Sequence, residues 1–258
     1  MIAEGANWLF LVCAGLAVGS LLNVVILRLP LVMLGEAPPG FNLWLPASHC
    51  PQCHTALRWH DNIPVLSWFR LRGRCFYCHQ RISWRYPFTE ALTLLLTLLT
   101  ALRYPAEPQL LAALLFSWIL LALAGIDAQH QLLPDSLTQL LLWLGLLVNL
   151  AGWMPRLSLY DCVAGAIAGY LSLALLAKGY RLFRGKEALG LGDAKLLAAC
   201  GAWLGWQALP ELLLIASLSG TVWALLANLC YQRSLRRPLP FGPFLAAAAW
   251  LLAIGLSG

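Results

Sequence analysis

Residues 124–138 read AGIDAQHQLLPDSLT and residues 190–195 read GLGDAK. Each stretch brings an aspartate, Asp127 or Asp193, to the edge of a long apolar segment, where an ionised carboxylate is costly and marks a functional candidate. If the first stretch ends a membrane helix and the second begins one on the same side, two carboxylates meet at one membrane face. That reading sets the expected architecture.

Composition agrees with it. Hydrophobic residues make up 60% of the 258 and charged residues 11%, well under the roughly 25% charge of soluble domains. The expected class is an all-α polytopic membrane protein. A net charge of +6 suggests nucleic acid in a soluble chain, but in a membrane chain basic residues anchor the cytoplasmic side. No nucleic-acid partner is expected.

Working outward, residues 1–8 (MIAEGANW) lack the basic region of a cleaved signal, so the apolar run 8–27 is expected to stay as a first helix. Further spans are expected at 88–102, 109–126, 136–153, 160–183, 193–206, 211–231 and 241–256, about eight in all. Arg28 behind the first span puts the amino terminus outside and residues 28–87 in the cytoplasm. The other cytoplasmic connections then hold Arg181, Arg184, Lys186, Arg233, Arg236 and Arg237, against Arg103 and Arg156 outside. Three regions follow: a first helix in 1–29, a cytoplasmic tetracysteine domain in 30–87, and a membrane domain in 88–258.

The insertion carries Cys50-Pro-Gln-Cys53 and Cys75-Phe-Tyr-Cys78, two CxxC turns separated by 21 residues. That is zinc-ribbon spacing. Cys50, Cys53, Cys75 and Cys78 would give one structural Zn²⁺ a closed tetrahedral shell and let a domain of about 60 residues fold. A reducing cytoplasm disfavours a pair of disulfides, and an iron–sulfur cluster is the other reading. His49, His54 and His79 adjoin the knuckles and read as solvent-facing or hydrogen-bonded. Cys13, Cys162, Cys200 and Cys230 lie singly in apolar runs and read as small hydrophobes.

Two readings stand for Asp127: an interfacial carboxylate that reaches water or an arginine, and a working acid. Asp135 follows Pro134 at a helix start and reads as a cap. Asp193 follows Gly190 and Gly192, which admit a partner helix or an extended peptide, although a helix cap is the plain alternative. His130 and Lys195 read as solvated or anchoring side chains. Glu90 reads as a helix-start carboxylate favoured by the dipole.

The motifs GSLLNVVILRLP (19–30), CPQC, NIPVLSW (62–68), LRGRCFYC, ISWRYPFTE (82–90), IDAQHQLLPDSLT, GKEALGLGDAKLL (185–197) and FGPFLA (241–246) together resemble the bacterial type IV prepilin peptidases. These are the bifunctional leader peptidases and N-methyltransferases of type IV pilus and type II secretion systems. The resemblance implies an inner-membrane aspartic endopeptidase of GxGD type. Asp127 and Asp193 would be its catalytic pair, with Asp135 the accessory aspartate after Pro134 and residues 88–258 the peptidase domain. The substrates would be prepilins or pseudopilins, cut after a glycine between a basic leader and an apolar helix. S-adenosylmethionine would then methylate the new amine, which Glu90 is a candidate to recognise, although no glycine-rich nucleotide fingerprint follows a strand. Ala188, Leu191 and Ala194 depart from the family pattern. Two rival classes are a proton-coupled transporter, which predicts repeats and midplane carboxylates, and a non-enzymatic secretion scaffold.

Overall fold

In the computed structural model the chain forms two compact units, Met1–Arg103 and Tyr104–Gly258. The structure describes residues 2–38, 40–50, 52–61, 63–104, 107–154, 157–185, 190–231 and 239–255. The basic positions Arg156, Lys186, Arg233, Arg236 and Arg237, and Ala188, lie outside the described residues. Among these residues the regular structure is helical, apart from two isolated antiparallel bridges.

The first unit holds α1 (Ile2–Met33), α2 (Leu66–Arg70) and α3 (Arg85–Arg103). Helix α1 runs past Arg28 and through Pro30 to Met33, beyond the expected end at Leu27. Proline removes one donor, yet the last turn closes through the Leu34 N–H to the Pro30 carbonyl at 2.9 Å. Helices α1 and α3 lie antiparallel: Gly15 faces Leu94 and Thr97, Gly19 faces Glu90 and Thr93, and Asn23 Nδ2 donates to the Tyr86 carbonyl at 3.1 Å. Thr93, Thr97 and Thr100 of α3 are buried. The Thr93 and Thr97 hydroxyls donate to the carbonyls four residues earlier, which satisfies them inside the packed face.

The second unit contains α4 (Gln109–His130), α5 (Asp135–Leu150), α6 (Leu159–Arg184), α7 (Leu191–Leu204), α8 (Leu209–Tyr231) and α9 (Gly242–Ala253). Its centre is α7, where every residue from Ala194 to Trp203 except Lys195 is buried. Small residues allow this. Gly165 of α6 and Gly201 of α7 meet backbone to backbone, and a Cβ at Gly169 would stand 2.7 Å from the Leu197 carbonyl oxygen. Such close approach gives van der Waals packing, the main attraction between helices once lipid replaces water. On the other side, the Trp203 indole fills the notch at Gly145 and donates to the Leu141 carbonyl at 2.7 Å.

Among the described residues, four helices are long and apolar enough to cross a membrane: Asn7–Met33, Gln109–His130, Leu159–Phe183 and Trp206–Cys230. Helices α5 and α9, with 16 and 12 residues, and α7, with 14, fall short of the roughly 20 residues that span a bilayer. The apolarity of α7 serves a protein core, since a helix apolar all round can be buried in protein as well as in lipid.

Candidate functional site

Helix α4 ends one turn after Asp127. Gln131 takes a left-handed conformation and its N–H bonds to the Asp127 carbonyl at 2.9 Å, which closes the helix one turn behind the aspartate. Asp127 is 5% exposed. Its Oδ2 accepts the backbone N–H of Gly242, the first residue of α9, at 2.9 Å. The carboxylate therefore faces a helix start, whose free N–H groups and dipole favour negative charge.

Asp193 is the third residue of α7 and half-buried. It lies within electrostatic range of Asp127. Gly190 stands behind it, where a Cβ would sit 3.7 Å from its Oδ2, while one at Gly192 would press on the Leu133 side chain at 3.0 Å. The two quoted stretches thus meet through Leu133 and Gly192. They also meet through an ion pair, Lys195 Nζ to Asp135 Oδ1 at 2.6 Å.

That pair revises two expectations. Asp135 is the first residue of α5, and Pro134 before it makes no side-chain capping bond. The carboxylate instead binds Lys195, which ties the start of α5 to the start of α7. Both partners are partly exposed, so the pair contributes about 0.2–1 kcal/mol and serves mainly as a register pin. His130 is exposed at the end of α4. Gly242 carries no local signal of this role: FGPFLA stands out as a motif, but its contact with Asp127 spans 115 positions.

In the first unit, the Sγ atoms of Cys50, Cys53, Cys75 and Cys78 all lie within 4.8 Å of one another. Cys50 and Cys78 stand 3.7 Å apart and Cys53 and Cys75 4.0 Å. Four thiolates bound tetrahedrally at about 2.3 Å would stand about 3.8 Å apart, so the cluster fits a metal ion. The two knuckles share one backbone plan. His54 N–H bonds the Cys50 carbonyl and His79 N–H the Cys75 carbonyl, at 2.9 and 3.0 Å. Both histidines are left-handed, with φ of 55° and 56°. Hydrogen bonds involving Thr55 bring the pKa of the Cys53 thiol down to about 6, toward the thiolate that binds metal, whereas, against a backbone hydrogen bond involving Gln80, burial and the three neighbouring cysteines push Cys78 up to about 11.

Between the knuckles lies Asp61, a residue the sequence reading passed over. Its buried carboxylate accepts Arg58 Nε at 2.8 Å and Arg70 Nη2 at 2.7 Å. The Arg58 guanidinium in turn covers the Phe76 ring of the second knuckle, 3.9 Å from its centroid. Glu90, the sixth residue of α3, is buried, and its Oε2 accepts the Val65 N–H at 2.7 Å. Val65 has φ 61° and ψ −53°, a strained conformation for a β-branched residue, and Glu90 holds it there.

Two family models match the chain. The bacterial peptidase A24 N-terminal domain covers residues 13–104, and the type IV leader peptidase family covers residues 114–225. The boundary between the two matches falls where the units divide. The chain is 49% identical to a prepilin leader peptidase/N-methyltransferase of Dickeya chrysanthemi, over 96% of this chain and 92% of that one. Relatives of the same name from Pectobacterium carotovorum subsp. carotovorum and Aeromonas hydrophila are 49% and 45% identical, over 90% and 97% of this chain and 87% and 92% of theirs. No solved structure matches. With near-complete coverage by such relatives, and a carboxylate pair and tetracysteine cluster in the matched regions, the chain belongs to the type IV leader peptidase family.

Proposed function

We propose that the chain is an intramembrane aspartic endopeptidase that removes the basic leader of prepilins and pseudopilins after a glycine. Asp127 and Asp193 are its catalytic pair. The observation that carries this is that Asp127, in the last turn of α4, and Asp193, in the first turn of α7, lie within electrostatic range of each other, with the Gly242 N–H donating to Asp127. A water between the carboxylates gives one proton to the ionised member as its oxygen attacks the scissile carbonyl. The protonated member donates to the carbonyl oxygen. Collapse of the tetrahedral intermediate breaks the C–N bond, and the leaving amine takes up a proton from the pair. Gly190 leaves room for an extended peptide beside Asp193, Gly192 lets Leu133 close against the start of α7, and Pro134, Asp135 and Lys195 hold the supporting loop.

The tetracysteine cluster holds one structural zinc in this reading, with no open coordination position and hence no catalytic role. The chain sits in the bacterial inner membrane as about eight spans, including the shorter helices. The amino terminus is periplasmic and the cluster cytoplasmic, with regions 1–29, 30–87 and 88–258 as first helix, tetracysteine domain and peptidase domain. After cleavage the chain methylates the new amine. S-adenosylmethionine would supply the methyl group, and no glycine-rich loop after a strand marks its place among the described residues. Glu90 is the candidate for amine recognition, with its Oε2 already bound to Val65.

The test is reconstitution of the purified protein with a prepilin-like substrate and isotopically labelled S-adenosylmethionine. The expected result is release of the leader after glycine and label on the new terminus; an intact substrate would reject the assignment.

A further inference from the structure

The second cysteine knuckle carries a cationic cleft that neither the metal cluster nor the carboxylate pair uses. Two adjoining hollows of about 430 and 540 Å³ share Arg72 and Arg74, and Arg81, Trp68 and Trp84 line the larger. Arg74 and Arg81 face each other across an isolated antiparallel bridge. The flanking bonds run from Ile82 N–H to the Gly73 carbonyl and from Cys75 N–H to the Gln80 carbonyl, which makes this the non-hydrogen-bonded kind of pair, with the closer side chains. Like charges directly opposite each other destabilise such a pair. The corresponding bridge of the first knuckle pairs His49 with Ala56, so the knuckle plan itself does not require two cations.

Among the described residues no acid offsets them. Arg58 and Arg70 are engaged by Asp61, whereas the Arg72, Arg74 and Arg81 guanidinium groups have no hydrogen-bond or ion-pair partner among the described residues. The frame beneath is fixed. Gly73, at φ +65°, lets the Trp68 indole lie where a Cβ would meet it at 2.8 Å, and Trp68 Nε1 donates to the Ile82 carbonyl at 3.3 Å.

The antiparallel register of α1 and α3 sets the height of this cleft. Asn23 bonds the Tyr86 carbonyl, so Trp84 and Ile82 lie further toward the Arg28 end of the apolar span Asn7–Met33, where a membrane interface falls. Trp84 is 63% exposed and meets Phe88 edge to face at 5.4 Å; tryptophan favours that depth.

We propose that this cleft binds the phosphate headgroup of an anionic phospholipid of the phosphatidylglycerol class. The phosphate oxygens lie between Arg74 and Arg81, with Arg72 at the rim, and the acyl chains descend past Trp84 and Phe88. Guanidinium forks match phosphate oxygens. Free phosphate shares that chemistry but gains nothing from the aromatic face or the interfacial height.

The test is native mass spectrometry of the full-length protein in neutral detergent, titrated with dioleoyl phosphatidylglycerol, dioleoyl phosphatidylcholine or inorganic phosphate. Wild type is expected to take up the first lipid over the second by about fivefold or more. Arg74→Gln with Arg81→Gln is expected to lose that preference, and Arg74→Lys with Arg81→Lys to keep part of it. If the glutamine pair sheds its metal, Arg72→Gln alone gives the reading, with a reduced preference expected. A preference unchanged in the glutamine variants overturns the proposal. So does equal uptake of both lipids, or displacement of the anionic lipid by equimolar inorganic phosphate or hexaglutamate peptide.

Discussion

The backbone N–H of Gly242 donates to Oδ2 of Asp127 at 2.9 Å, across 115 positions of sequence. The contact leaves no room for a side chain, because a Cβ at Gly242 would stand 2.7 Å from the same oxygen. Gly242→Ala is therefore expected to push the Asp127 carboxylate aside without unfolding the bundle. A displacement of this order lowers the rate by about 10²-fold, read as kcat for leader removal beside an unchanged helical circular-dichroism spectrum. Wild-type kcat would contradict the positioning role.

Gly165 and Gly201 meet backbone to backbone, so neither α6 nor α7 has a flexible side chain to move aside. Gly201→Ala is expected to cost about 1–3 kcal/mol by overpacking and to shift α7, which carries Asp193. The measurement is the thermal midpoint in detergent together with activity; an unaltered midpoint would place the tight contact elsewhere.

The sulfur spacing of 3.7 and 4.0 Å predicts about one zinc per chain on metal analysis. Cys50→Ser with Cys53→Ser is expected to lose the metal and expose residues 30–87 to proteolysis. A metal-free wild type with that segment protease-resistant would contradict the cluster assignment.

Asp61 supplies a pH dependence. Burial raises its pKa, but the Arg58 hydrogen bond and charge, with His60 and Arg70, outweigh this and hold it below the usual 3.8. A depressed pKa in the folded state means the contribution is present above the unfolded value and is lost as pH falls through the folded one. The contribution of Asp61 to the stability of the tetracysteine segment is thus expected to hold down to about pH 4 and to decline below it. Asp61→Asn is expected to lower the thermal midpoint at neutral pH and flatten that decline. Identical acid profiles for the two proteins would contradict the role given to Asp61.

Much of the helical layout was legible because apolar runs and the CxxC turns are local signals. The run 109–126 foretold α4, and the two aspartates marked themselves by standing in apolar surroundings. What escaped the sequence depends on distant partners. Gly242 acquires its role only when α9 is laid against α4, and Asp61 only when Arg58 and Arg70 converge on it. The local rule for an aspartate after proline gave Asp135 a capping role; Lys195, 60 positions away, draws its carboxylate off instead. The expected span at 193–206 coincides with α7, whose enclosure by other helices was not legible because apolarity alone does not tell a lipid-facing helix from one enclosed by protein.

The central claim is that Asp127 and Asp193 act as one acid–base pair, and it is tested most directly by leader removal in liposomes. Wild type is compared with Asp127→Asn and Asp193→Asn on one prepilin-like substrate, with metal content and circular dichroism as folding controls. The account predicts folded variants, each slower by about 10³-fold or more; cleavage at the wild-type rate by either variant would contradict it.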